Sequence, residues 1–153
     1  MEDNTKYDVA RELISDILSQ RDVALSVNSG SGIAELKIET GLPFRIKDKW
    51  ATIGDDDRSW HLHLNMDEVV EARFVKEPRS DGRQSYSIRF FDSIGHLAMR
   101  ANFIKLYDNN GNVIMEKVAK FDDRRFQPNE NQKLKNNKTP FLYGYNMTIS
   151  IYA

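Results

Sequence analysis

His61 and His63 are the side chains in this sequence best placed to bind a ligand together. In an extended segment, residues two apart point to the same face, about 7 Å apart along the strand. Two imidazoles set that way can share one metal ion or lie beside one flat ligand. They can equally be ordinary surface or hydrogen-bonded histidines, because a His-x-His pair names no third or fourth metal ligand. The remaining histidine, His96, follows the Ser93-Ile94-Gly95 turn and is expected in solvent.

Basic residues at alternating positions make a second group. Arg45, Lys47 and Lys49 form one expected row, while Arg73, Arg89 and Arg100 stand singly inside apolar strand-like runs. An arginine among apolar neighbours must meet solvent, a carboxylate or an anionic ligand. An acidic small molecule with an apolar body would use such a mixture of Arg and aromatic residues. The acidic run Asp55-Asp56-Asp57 is expected to be a solvated turn rather than a cation site. Asp108-Asn109-Asn110-Gly111-Asn112 resembles part of a calcium loop but has Ala119 and Lys120 where the bidentate Glu belongs, so it reads as a turn. No nucleophile elbow, glycine-rich phosphate loop or His-Glu-x-x-His helix is present, and no catalytic residue is assigned.

Composition narrows the classes further. The chain has 153 residues, suited to one domain over 1–153. With 22 basic and 23 acidic residues the net charge is -1, which argues against a nucleic-acid partner. The absence of cysteine removes disulfides, iron–sulfur clusters and thiol catalysis, and suits the cytoplasm. The N-terminal run is acidic and polar, unlike a signal peptide, and no apolar stretch is long enough for membrane insertion.

These groups need elements to position them. Val9, Leu13, Ile14, Ile17 and Leu18 fall at helical spacing, so a helix is expected from Tyr7 to Gln20. The period then changes to two. Strands are expected in VALSVN and IAELKIE around a Ser29–Gly32 turn, in RIKDKWATI, SWHLHLN and EVVEARFVK, and in QSYSIRFFD and HLAMRANF. Alternation puts Trp60, Leu62, Leu64, Phe74, Ile88 and Phe90 in the core. A second helix is expected near Val113 to Arg125, a polar loop over 128–140, and a terminal strand within Phe141 to Tyr152 that returns to the sheet or pairs with another chain. The fold class is α+β, with a mostly antiparallel sheet of about seven to nine strands.

Several of these segments, taken in order, match a known pattern. Leu36-Lys37-Ile38-Glu39-Thr40-Gly41 comes first, then the Asp-rich turn followed by Trp60, His61 and Leu62-His63-Leu64. Val75-Lys76-Glu77-Pro78 leads to Asp81-Gly82, and Ser87 to Asp92 leads to Gly95. The stretch from Ile33 to Gly95 resembles the haem-utilisation proteins of the HemS/ChuX type. That resemblance implies two such units in one chain or a dimer of single units, so this single-unit chain is expected to be a homodimer. It implies cytoplasmic binding, transfer or degradation of haem. His63 matches a family histidine and His61 is an additional one. Glu39 stands where the two-unit members carry a haem-ligating His. The expected haem-binding set is therefore His63 or His61 at the iron, with Arg45, Lys47, Arg73, Arg89 and Arg100 at the propionates. Three readings follow: a haem carrier; a haem-degrading enzyme, which would need a reductant and an open distal position; and a non-haem relative that keeps the dimeric scaffold as a small-ligand or protein-interaction module.

Overall fold

The first apolar stripe folds as helix α1, Asp8–Leu18, burying Ala10, Leu13, Ile14, Ile17 and Leu18. Asp8 in its first turn favours the positive end of the helix dipole. The Tyr7 hydroxyl donates to Asp67 at 2.6 Å, tying the helix entry to a distant turn. The computed structural model of the protein describes residues 7–38, 41–54, 60–125 and 147–150, with backbone alone at 120, 122–125 and 147–150. Asp55–Asp57, Glu39, the expected 128–140 loop and most of the expected terminal strand lie outside the described residues.

Nine strands follow α1 among the described residues. They are β1 (Val23–Asn28), β2 (Ile33–Lys37), β3 (Phe44–Lys47), β4 (Trp50–Gly54) and β5 (His61–Asn65), then β6 (Val69–Pro78), β7 (Gln84–Asp92), β8 (Leu97–Phe103) and β9 (Met147–Ser150). Helix α2, Met115–Arg125, lies between β8 and β9. All pairings are antiparallel. The strands divide between two sheets: six in the order β2-β1-β8-β7-β6-β9, and three in the order β3-β4-β5. The terminal strand returns to the sheet, Thr148 pairing with Arg73 on β6. Short polar turns connect the strands. In two of them an Asp accepts backbone N–H groups further along: Asp92 from Ile94 and His96, and Asp108 from Asn110 and Asn112. The segment that resembles a calcium loop is thus a turn whose carboxylate serves its own backbone.

One apolar core joins both helices to both sheets. Phe74, Ile88, Phe90 and Leu64 are buried as alternation requires, while Trp60 and Leu62 are half-buried against the core. Phe121 of α2 is buried, with its ring centroid 5.4–5.5 Å from those of Phe74, Tyr86 and Phe103. Helix α2 begins two residues later than Val113 because Val113 forms a β-bridge with Tyr107. The segment expected as one strand over RIKDKWATI is a tight hairpin, β3 and β4, turning at Asp48-Lys49. Asp48 takes the left-handed backbone there, with φ 53°, a conformation that Asp tolerates better than most side chains. This corrects the expected row: Lys49 leaves it at the turn, and only Arg45 and Lys47 remain together on β3.

Candidate functional site

The three-stranded sheet presents its two faces to different surroundings. Ala51, Ile53 and Leu64 face the core, with Ile46 and Leu62 packed beside them. On the other face the register sets Arg45 opposite Thr52 and Thr52 opposite His63, and beside that row Lys47 opposite Trp50. Arg45, Lys47, Asp48, Trp50, Thr52 and His63 line an open concavity of about 420 Å³. Trp50 is 44% exposed, unusual for so large an apolar ring. The Lys49 ammonium sits 5.8 Å from the Trp50 ring centroid, at the rim.

The two histidines are brought together. Both are exposed, with ring centroids 4.7 Å apart in an edge-on arrangement. The Trp50 and His63 ring centroids are 6.4 Å apart, also edge-on. Thr52 Oγ1 and His63 Nδ1 form a cross-strand hydrogen bond of 2.9 Å. Thr52 is only 6% exposed, so its hydroxyl is held in place rather than waving in solvent. The close approach at His61 depends on Gly54, its partner on β4. Gly54 has φ +92°, and a Cβ added there would lie 2.9 Å from the Trp60 carbonyl oxygen and 3.3 Å from His61 Cα. Among the described residues no group of three or more His, Asp or Glu side chains is arranged to hold a metal ion. His96 is exposed in the β7–β8 turn.

The other expected basic residues lie elsewhere. Arg73, Arg89 and Arg100 sit on β6, β7 and β8 of the six-stranded sheet and are directly cross-paired, Arg73 with Arg89 and Arg89 with Arg100. None of them lines the concavity. Arg73 pairs with Glu71 and stacks 4.2 Å from the Phe91 ring centroid. Arg89 pairs with Glu77 and donates to Ser87 at 3.2 Å. Arg100 reaches the same Glu77 at 3.5 Å. Burial, and then the Arg89 charge beside it, lower the Arg100 pKa from its ordinary value, partly offset by Glu77 and Glu35. By contrast, Arg45 and Lys47 have no ion pair among the described residues.

Sequence reasoning thus found four members of the exposed face, Arg45, Lys47, His61 and His63, and missed Trp50 and Thr52. The signal was present. A two-residue Asp-Lys turn sets Lys47 opposite Trp50, and that register brings Thr52 between Arg45 and His63.

A protein-family model matches residues 11–129 of the chain. Several solved structures share the fold. A structural-genomics protein from Agrobacterium tumefaciens matches at 20% identity, covering 78% of this chain and 67% of its own, with a TM-score of 0.63. The haem-binding protein ChuX matches at 14% identity over 78% of this chain and 72% of its own, also with a TM-score of 0.63. Holo-PhuS, a haem-binding protein from Pseudomonas aeruginosa, matches at 18% identity over 74% of this chain but 31% of its own, with a TM-score of 0.55. No curated protein sequence matches the chain. Among the described residues no helix is long and apolar enough to cross a membrane.

Proposed function

We propose, for a chain that belongs to the HemS/ChuX-like family, a role as a haem-binding carrier in cytoplasmic haem utilisation or trafficking. One arrangement supports this above all: two exposed imidazoles beside an exposed indole and two cations without an ion pair among the described residues, on one face of a small sheet. The donor set fits the group. Imidazole nitrogen is an ordinary axial ligand for haem iron. Arg45 and Lys47 supply charge-assisted partners for carboxylates, and Trp50 supplies an apolar surface. Haem, when bound, would bring an iron centre capable of ligand exchange and redox change. The chain's own part is to hold it: His63 as the favoured iron ligand, since it matches a family position, with His61 able to compensate in part.

Arg73, Arg89 and Arg100 have a different role in this proposal. Their charges are met by Glu71 and Glu77, so they stabilise the sheet rather than reach the ligand. A homodimer, which the family resemblance implies, is part of the proposal, and light scattering should give about twice 17.7 kDa at micromolar concentration. A monomer would remove that part of the proposal.

The specific observation favouring another reading is Glu39, which stands where the resemblance expects a histidine. On that reading the chain is a non-haem relative, a small-ligand or interaction module on the same dimeric scaffold. Haem titration followed at the Soret band separates the two. A saturable shift supports the carrier, and no shift promotes the non-haem relative. Adding ascorbate to the loaded protein then separates carriage from degradation: a stable band marks a carrier, and progressive bleaching marks an enzyme.

A further inference from the structure

Thr52 contributes no charge and no aromatic surface to the concavity. It nevertheless lies at the centre of the row, opposite both Arg45 and His63. Its hydroxyl is the hydrogen-bonding partner of one specific ring nitrogen, His63 Nδ1, at 2.9 Å. The two ring nitrogens of histidine are not equivalent, and the partner of one decides how the other is presented. With Nδ1 tied to a nearly buried hydroxyl on the neighbouring strand, Nε2 is the nitrogen left for a ligand. A threonine hydroxyl suits this position because it rotates. It accepts from Nδ1–H when Nε2 offers its lone pair, and it donates to Nδ1 when the proton sits on Nε2. His61 stands opposite Gly54, which has no side chain, and so has no equivalent cross-strand partner among the described residues.

We infer that Thr52 is the positioning residue that orients His63 and commits Nδ1, making Nε2 the ligand-binding nitrogen and His63 rather than His61 the principal ligand. This rests on the haem-binding reading above, and its first readout does not require haem. Groups that hold the far nitrogen of a metal-ligating histidine typically matter by about 10–100-fold in affinity when removed.

The test compares the unmodified protein with Thr52→Val, which keeps the shape of the side chain, and Thr52→Ser, which keeps the hydroxyl. Circular dichroism checks that all three are folded. In the haem-free protein, nitrogen-15 NMR of the histidine rings should show His63 changed by Thr52→Val, restored by Thr52→Ser, and His61 unaffected in both. Haem affinity should fall about tenfold in Thr52→Val and recover in Thr52→Ser. An identical His63 ring signature in the valine variant would overturn the inference. A Soret shift of undiminished affinity in that variant would also overturn it while leaving the haem reading intact. Absence of any Soret shift in the unmodified protein would overturn the haem reading and the ligand role of His63 together.

Discussion

On the six-stranded sheet, arginines in neighbouring strands are paired across the surface with Glu71 and Glu77. On the three-stranded sheet, Arg45 and Lys47 stand beside a half-exposed tryptophan and two exposed histidines, with no ion pair among the described residues. Both regions place basic side chains within strands, Arg45 and Lys47 two apart on β3 and Arg73, Arg89 and Arg100 singly on β6, β7 and β8. What differs is which side chains stand within reach. On the large sheet the arginines face one another across the ladder, and Glu71 and Glu77, both on β6, meet their charges within the fold. On the small sheet the strands alongside supply Trp50, Thr52 and His63, and Arg45 and Lys47 meet no carboxylate in an ion pair among the described residues. A basic residue in a strand therefore marks a binding face only once the charged groups within its reach, on its own strand as well as across the sheet, are known.

The strongest way to break this comparison is to show that the small sheet presents the wrong face. Leu64, 5% exposed, shares β5 with the histidines but points into the core. Leu64→Ala should destabilise the protein by about 2–5 kcal/mol in denaturant unfolding. A change below about 0.5 kcal/mol would reverse the register and bury the histidines instead. Gly54→Ala should follow, costing on the order of 1–3 kcal/mol, because its left-handed backbone and the nearby Trp60 carbonyl leave no room for a methyl group. Near-neutral stability in that variant would show that β4 and β5 are not so closely paired at His61.

These two residues also show what was legible in the sequence. The alternation of His61 and His63 with Leu62 and Leu64 was enough to orient β5. The helical stripe from Val9 to Leu18 was enough to place α1. Turn residues marked most hairpins. The partition into two sheets was not legible, because the connection from β5 to β6, Met66-Asp67-Glu68, carries no glycine or proline to distinguish it from an ordinary hairpin turn. The Asp48-Lys49 reversal was missed for the same reason: Asp48 adopts the left-handed backbone without being glycine. Missing that turn hid the pairing of Thr52 with His63, and with it the most specific contact of the candidate site. The pairing of Arg89 and Arg100 with Glu77 depends on register across three strands, which local pattern does not encode.

The comparison between the sheets is sharpened by charge removal. The double variant Arg45→Ala/Lys47→Ala should weaken haem binding about tenfold, the scale of one lost charge-assisted hydrogen bond. Arg89→Ala should leave haem affinity unchanged within error. The opposite ranking would move the ligand to the large sheet. The smallest expected effect concerns Asp22, at the foot of β1. Its hydrogen bond to Lys117, assisted by the charges of Lys117 and Lys105, lowers its pKa from the ordinary value against the opposing effect of burial. A depressed carboxylate pKa contributes stability above the unfolded-state value that is lost as pH falls through the folded-state value. Asp22→Asn should therefore cost a few tenths of a kcal/mol at neutral pH, and its deficit should shrink as pH drops below about 4. A deficit independent of pH would mean that the ion pairs contribute nothing and that structural charge pairing is not general in this fold.

The proposed haem-binding role depends on the paired histidines of β5 as the iron ligands. The most direct measurement is the Soret spectrum on haem titration of His61→Ala/His63→Ala beside the unmodified protein, both checked for folding by circular dichroism. The account predicts a saturable shift in the unmodified protein and none in the folded double variant. An identical shift in both would place the iron ligand elsewhere and contradict it.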